Sequence, residues 1–288
     1  MTVDLPAAAG FLHATARVLE RRRFAHLFEG ASAEPVLHAL RAYRNDDGGF
    51  GHAIEPDMRA ATSQPVGVQF ALEVLHEVGA RDDPLIGPAC DFLASITRAD
   101  GGIPFALASA ADYPRAPWWQ YADESSLIQT AANAAALHAL GVRHPWLDGA
   151  DEFCFRAIAG LDLSGVGSEP GYALRFGVGF LDATPDADRA ERALDALGPK
   201  LGPLAALEPD PTLEVATPLD LSPTPGARSR RLFDAAVIDR HLDALAGAQQ
   251  EDGGWIVSWP AWNPAAALEW RGVATVHALA LLRANGRL

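Results

Sequence analysis

A three-residue turn, Asp-Gly-Gly, occurs three times in this chain and constrains its fold more than any other feature. The copies begin at Asp47, Asp100 and Asp252. Two glycines after an aspartate suit a helix C-terminus followed by a tight reversal, because glycine takes positive φ without steric cost. The gaps are 53 and 152 residues, which fits a period of about 51 residues with two degenerate copies between the last two turns. The sequence therefore predicts a repeat array.

The residues around each turn repeat as well. A leucine stands seven residues before each aspartate, and an apolar residue stands ten residues before it. This spacing of three residues places both side chains on the same face of a helix. Each second helix ends on a glycine that follows a leucine by four residues. A unit is therefore predicted to consist of a helix, a turn, a long loop and a second helix. The terminating glycines are Gly79, Gly141 and Gly286.

Five units and an N-terminal helix account for the chain. A continuous repeat favours one domain over the two that 288 residues would allow. Residues 199–229 contain seven prolines and little periodicity, which predicts a loop lying over the body of the protein. The predicted elements are a helix at 5–28 and units at 34–80, 84–142, 146–182, 186–232 and 233–288.

Charge and cysteine usage exclude several classes of function. The net charge is −14 and no basic stripe is present, so no nucleic-acid partner is expected. The two cysteines, Cys90 and Cys154, lie in apolar helical patterns, and without a Cys-x-x-Cys or a His/Cys cluster we expect neither a metal nor another cofactor. No apolar run approaches the roughly 18 residues of a membrane span, and no cationic leader precedes one. A cytoplasmic protein is expected.

The long loops lie within units and the short loops lie between them. Long connections occupy 50–64, 103–123 and 255–265. In a closed ring of helical hairpins these loops would all emerge at one end, which we call the mouth. Loops on a rigid scaffold are where functional sites usually form.

The mouth is rich in acids and tryptophans. A carboxyl among aromatic rings loses solvation, so its pKa rises and it becomes a usable general acid. Aromatic faces stabilise cations or stack on sugars. The predicted catalytic residues are Glu55, Asp57 and Asp123. The predicted substrate-binding residues are Trp118, Trp119, Tyr121, Trp259, Trp262, Trp270, His52, Glu124, Glu269 and Arg59.

Structural roles are open for several of these residues. Asp123 precedes a predicted helix, where acids and serines serve as caps. The acids of the turn at 55–57 can pair with Arg59 or His52. Glu269 can pair with Arg271 at the start of the last helix.

The segment Gln249-x-x-x-Gly253-x-Trp255 resembles the repeat of the prenyltransferase and squalene/terpenoid cyclase superfamily. The other two turns look like weaker copies, so the resemblance covers the first, second and fifth units. Segments 52–59 and 264–288 look like those of short bacterial members. The resemblance implies an all-α protein, an α/α toroid. This is a barrel of five to six helical hairpins with an inner helix ring inside an outer ring, around a cavity that family members use for isoprenoid or other large apolar substrates.

The family's catalytic motifs do not carry over. The chain contains no Asp-x-Asp-Asp acid motif, no Asp-Asp-x-x-Asp metal motif and no counterpart of the prenyltransferase zinc ligands. The resemblance therefore predicts the fold and leaves the chemistry to the residues of the mouth.

Three functions remain open at this point. In the leading hypothesis, Asp57, Asp123 or Glu55 protonates a small apolar, isoprenoid-like substrate and tryptophan faces stabilise the cation. In the second, a carbohydrate-active barrel uses two carboxyls about 5 to 9.5 Å apart in an open groove, and Trp118 and Trp119 stack on an oligosaccharide. In the third, a non-catalytic toroid binds a ligand or a protein. A mouth plugged by residues 199–228, with every acid paired to arginine, would favour the third.

Overall fold

The chain folds into two concentric rings of helices. The computed structural model describes residues 3–163, 168–201, 208–209 and 216–288. Within these ranges the only β structure is a few isolated bridges, and no helix is long and apolar enough to cross a lipid bilayer. The helices are α1 (Leu5–Thr15), α2 (Val18–Phe28), α3 (Glu34–Arg41), α4 (Pro65–Glu77), α5 (Ile86–Ser95), α6 (Leu127–Leu140), α7 (Trp146–Ala159), α8 (Ser168–Ala183), α9 (Ala187–Leu197), α10 (Pro218–Leu221), α11 (Ala235–Gly247) and α12 (Pro264–Ala284).

The predicted all-α toroid is confirmed. Helices α4, α6 and α8 pack side by side in the inner ring, and α12 packs against α2 to continue it. Helix α6 carries a run of alanines, of which Ala131, Ala132 and Ala134 are buried. These small side chains let α4 and α8 approach it closely, because the separation of packed helices depends on the side chains between them.

The three Asp-Gly-Gly turns share one structure. Their first glycine has a positive φ, 86° at Gly48, 92° at Gly101 and 91° at Gly253. The same glycine abuts the backbone of the next outer helix, at Pro88 in α5 and at Gly149 in α7, so that any Cβ would overlap it. The glycines are therefore required both by the turn and by the packing of one unit on the next.

The third turn closes the ring on the N-terminal helix. Gly253 abuts the backbone of Ala7 in α1. Gln249 accepts a hydrogen bond from the Asp4 amide at 2.9 Å and donates one to the Asp4 carbonyl at 2.8 Å. Trp255 is buried within the repeat and donates to the Leu245 carbonyl. Helix α1 thus takes the place of the next outer helix, and α1 with α2 forms a further hairpin of the ring.

The prediction of one helix over residues 5–28 is wrong. The backbone is extended at Ala16 and Arg17, with ψ of 155° and 162°. The Arg17 side chain donates to the carbonyls of Ala53 and Ile54 and to the carboxylate of Glu20. The break lets the chain pass from the outer to the inner ring. The contacts of Arg17 with residues distant in the sequence stabilise this break.

The degenerate middle of the chain is helical as predicted in its described parts. Helices α7 and α8 lie in the predicted unit at 146–182, which α8 exceeds by one residue, and α9 lies in the predicted unit at 186–232. Much of the loop predicted at 199–229, namely 202–207 and 210–215, lies outside the described residues. The remainder contains the short helices Pro218–Leu221 and Arg228–Leu232, so it is not a loop throughout. The unit boundaries and the single domain stay predictions.

Candidate active site

The first mouth loop is folded into the ring by a constrained backbone. His52 and Ala53 have positive φ, 57° and 60°, a conformation that costs non-glycine residues energy and persists only when the surroundings hold it. The His52 amide donates to the Ala60 carbonyl at 2.7 Å, and the Ala116 amide of the second loop donates to the Asp57 carbonyl at 2.9 Å. This constraint buries two acids, since Glu55 is 4% and Asp57 is 1% exposed.

Asp57 lies among aromatic side chains. The indole Nε1 of Trp270 donates to Asp57 Oδ2 at 2.7 Å. The Trp270 ring packs edge-on against Trp259 at 4.9 Å and against Phe70 at 6.0 Å. Oδ1 of Asp57 is buried and has no hydrogen-bond partner in the described part of the chain. One carboxyl oxygen is thus held by an indole, while the other is buried and unpaired among the described residues.

The surroundings of Asp57 act on its pKa in opposite directions. Burial raises the pKa, whereas the indole N–H groups of Trp270, Trp262 and Trp259 and the charge of Arg59 lower it. Among the described residues only Trp270 reaches hydrogen-bond distance, and Trp262 Nε1 stays unpaired. Burial prevails, so the pKa of Asp57 is raised.

Burial raises the pKa of Glu55 more than that of Asp57. Burial and the neighbouring charge of Asp57 raise its pKa well above 4.5, and the amides of Met58 and Asp57 and the charge of Arg17 offset only part of this rise. Its Oε2 is buried without a hydrogen-bond partner among the residues described. Glu55 and Asp57 therefore form a pair of interacting buried acids. The protonation of each one depends on the protonation of the other.

The arginine nearest to this pair is bound to another carboxylate. Arg59 donates to Glu269 at 2.8 and 3.2 Å, and Arg17 lies 3.9 Å from the same carboxylate. Glu269 thus forms an ion pair with Arg59 and not with its neighbour Arg271, which instead forms two hydrogen bonds with Asp252 at the third turn. The alternative in which Arg59 or His52 pairs with the acids of the turn is also not what the structure contains.

The second mouth loop contributes an apolar wall. Trp119 is buried and stacks on Phe105 at 4.7 Å. It belongs to an apolar cluster with Met58 at the bottom of the first loop, and Trp262 packs against this cluster. Trp118 and Tyr121 are exposed. A pocket of about 340 Å³ opens beside the cluster and is lined by Tyr113, Pro114, Arg115, Ala116, Pro117, Gln120 and Trp262.

The structure does not bring every predicted site residue to the buried pair. The Asp123 side chain is 77% exposed and accepts a hydrogen bond from the Tyr121 hydroxyl at 2.6 Å. It is not a helix cap either, since Ser126 caps α6. Glu124 is exposed, and His52 points its ring to Asn45 at 2.9 Å. The predicted residues that do converge are the acid pair, Arg59, Glu269, Trp259, Trp262 and Trp270.

A second group of ionisable side chains lies deeper in the ring and was missed from the sequence. We call it the polar floor. On α4, Gln69, Glu73 and Glu77 are spaced by four residues, and this spacing on an apolar helix was the available signal. The polar floor consists of Arg23, Glu73, Glu77, Arg175, Asp220 and His277.

Comparison with known proteins identifies the fold. The sequence matches no family model and no curated protein. Two similar solved structures are variants of MstE, a type II terpene cyclase from Scytonema. One, in complex with its substrate geranylgeranyl dihydroxybenzoate, has 17% identity and a TM-score of 0.56, with 98% of this chain and 87% of that chain covered. The other, without ligand, has 16% identity and a TM-score of 0.55, with 98% and 86% covered. The chain has a terpene cyclase-like fold. At these identities the likeness concerns the fold alone.

Proposed function

We propose that the protein transfers a proton from Asp57 to a carbon–carbon double bond of an apolar, isoprenoid-type substrate and so starts its cyclisation or isomerisation. One observation carries the proposal: a buried carboxyl is held by an indole at Oδ2 while Oδ1 is unpaired among the described residues. The terpene cyclase-like fold of the chain supports it.

Asp57 combines two properties that a proton donor needs. Burial raises the pKa of Asp57 and so favours the protonated carboxyl. Once the proton has moved to carbon, the N–H of Trp270 stabilises the carboxylate that remains. Glu55 is a positioning residue, because two neighbouring buried carboxyls resist being ionised together.

The aromatic rings around Asp57 suit the cation that follows. The proton adds to one alkene carbon, the other carbon becomes cationic, and a second double bond attacks it when a ring forms. Loss of a proton from a neighbouring carbon then restores an alkene, so the net reaction is an isomerisation. Faces of Trp259, Trp270 and Phe70 stabilise the positive charge and exclude the water that would quench it.

The two other functions have less support. Carbohydrate chemistry uses carboxyls on either side of a wet groove, whereas Glu55 and Asp57 are almost fully buried. A purely structural role would have each acid paired to arginine, whereas Arg59 is bound to Glu269. Asp123 and Glu124 are left out of the proposed site because both are exposed.

Deuterium incorporation tests this function. Linear isoprenoids such as farnesol, geranylgeraniol and squalene are incubated with the protein in deuterium oxide, and the products are analysed by mass spectrometry. At least one substrate is expected to gain a carbon-bound deuteron with the wild-type protein and with Asp123→Asn, the exposed control. Asp57→Asn is expected to lose this exchange. Unchanged exchange in a folded Asp57→Asn variant would overturn the assignment.

A further inference from the structure

The polar floor gathers side chains from several helices into one enclosed space. Arg175 on α8 acts electrostatically on both Glu73 of α4 and His277 of α12, and Arg23 of α2 also acts on both. Glu73 and His277 are exposed to solvent although both stand on helices of the inner ring, and desolvation by the surrounding protein raises the pKa of Glu73 and lowers that of His277. Side chains that are both accessible and desolvated line an internal space rather than the outer surface.

The polar floor lies below the aromatic rings around Asp57. Glu73 follows Phe70 by three residues on α4, and His277 follows Trp270 by seven on α12. At 1.5 Å per helical residue, these steps are about 5 and 10 Å along the helix axes. A substrate whose double bond meets Asp57 would therefore extend its other end towards the polar floor.

Each arginine of the polar floor is matched by an acid of the same group. Arg23 forms two hydrogen bonds with Glu77, at 2.6 and 2.9 Å, and Arg175 lies 3.7 Å from Asp220. Glu73 adds a further acid, with its Oε1 held by Gln69 at 3.0 Å. No positive charge is left over for a diphosphate, and an ionised Glu73 would repel one. An anionic end group is therefore disfavoured.

A plain hydrocarbon end is also disfavoured, because it cannot hydrogen-bond to the polar groups that it would cover. Covering Glu73 and His277 with methyl groups would remove their contact with water and offer no hydrogen bond in return. A site with buried polar groups discriminates strongly against an analogue that lacks the matching group. A neutral hydroxyl fits both conditions, because it donates one hydrogen bond and accepts others.

We propose that the polar floor binds the hydroxyl end of a prenyl alcohol, with Glu73 accepting from the hydroxyl and His277 as the second hydrogen-bonding partner. This rests on the proposed function, since it places a double bond of the same substrate at Asp57. The polar floor thereby sets the direction in which the chain enters and the double bond that is protonated.

Three ligands with the same prenyl chain test this assignment. Geranylgeraniol, geranylgeranyl diphosphate and the corresponding hydrocarbon without oxygen are titrated into the wild-type protein, and binding is followed by tryptophan fluorescence and by calorimetry. Geranylgeraniol is expected to bind about tenfold or more tightly than either of the others, which corresponds to one buried hydrogen bond to the end group. No variant is needed for this comparison.

Variants then locate the preference. His277→Phe is expected to lower the affinity for geranylgeraniol towards that of the hydrocarbon, whereas His38→Phe on the outer helix α3, where the histidine is exposed, leaves it unchanged. Glu73→Gln is expected to tighten binding of the diphosphate by removing an acid. Circular dichroism checks that each variant is folded.

The outcomes separate this inference from the proposed function. If all three ligands bind equally, or if the diphosphate binds most tightly, the assignment of the polar floor is overturned while the role of Asp57 stands. If deuterium incorporation fails for every isoprenoid but geranylgeraniol binds with the expected preference, the proposed function fails and the polar floor stands as a binding site. If no prenyl ligand binds, both fail.

Discussion

Trp270 donates its indole N–H to Asp57 across 213 residues of sequence, at a distance of 2.7 Å. The contact joins the last helix to the first mouth loop. Its neighbour Glu269 binds Arg59 of the same loop, so α12 supplies two side chains to one short segment. Because α12 also packs on α1 and α2, the proposed site is complete only when the ring is closed.

Replacing Trp270 by phenylalanine is expected to destabilise the protein by about 1–3 kcal/mol, because it removes a buried hydrogen bond to a carboxyl. The N–H lowers the pKa of Asp57, so its loss raises that pKa further. Urea unfolding gives the stability and isotope-edited infrared spectroscopy gives the titration of Asp57. Trp259→Phe is the matched control, since Trp259 packs on Trp270 but does not reach hydrogen-bond distance. Equal effects of both substitutions would contradict the role given to Trp270.

The ion pair between Arg59 and Glu269 is expected to contribute more than the pair between Arg98 and Asp123. In the first pair the nitrogen and oxygen are 2.8 Å apart, and the Arg59 and Glu269 side chains are 30% and 20% exposed. In the second pair the distance is 3.4 Å, and the Arg98 and Asp123 side chains are 39% and 77% exposed. Double-mutant cycles measured by urea unfolding should give a coupling of about 1 kcal/mol or more for the first pair and close to zero for the second. The reverse order would mean that Glu269 does not anchor the first mouth loop.

Ring closure is expected to depend on Gly253. Alanine at this position would be strained by its φ of 91° and would overlap the Ala7 backbone. Gly286 also has a positive φ, 70°, but has open space around its Cβ position. Gly286→Ala should cost about 1 kcal/mol, and Gly253→Ala should cost clearly more. Equal losses in thermal or urea unfolding would show that the contact with α1 does not stabilise the ring.

Stability should respond to pH in opposite ways at Glu55 and Glu77. Glu55 has a raised pKa, so its contribution is complete below the unfolded pKa and is lost as pH rises through the folded value. At Glu77 burial raises the pKa, but the charge and hydrogen bond of Arg23 outweigh it and the result is lowered. Its contribution is therefore present above the unfolded pKa and is lost as pH falls.

Two glutamine variants measure these slopes. As the pH rises above about 4.5, the wild-type protein should lose stability relative to Glu55→Gln, and as the pH falls below about 4.5 it should lose stability relative to Glu77→Gln. Urea unfolding at several pH values provides both differences. Slopes of the same sign would show that one of the two carboxyls does not have the surroundings described above.

The repeat and its turns were predictable because their causes are local. A glycine with positive φ between an aspartate and an apolar residue has few structural alternatives, and three copies in one register define the ring. The convergence of Glu55, Asp57 and Trp270 followed from the long loops and the start of the last helix lying at one end. What these residues do chemically stays a prediction.

The features that were missed have distant causes. The break at Arg17 is held by carbonyls 36 and 37 residues away, so no pattern within residues 5–28 reveals it. The polar stripe on α4 is visible in the sequence, but the same stripe is typical of a solvated helix face. Only the ring shows that this face looks inward. Asp123 satisfies the sequence rules for a cap, yet Ser126 caps the helix instead.

The protonation of Glu55 and Asp57 at neutral pH is the most direct test of the account. Infrared difference spectra between the wild-type protein and Glu55→Gln, and between the wild-type protein and Asp57→Asn, report the stretch of a protonated carboxyl. Wild-type protein at about pH 7 should retain at least one such band that disappears when the pair is altered, because burial and mutual repulsion keep one proton on it. Spectra in which both carboxyls are fully ionised at that pH would contradict the claim that this buried pair is an acid.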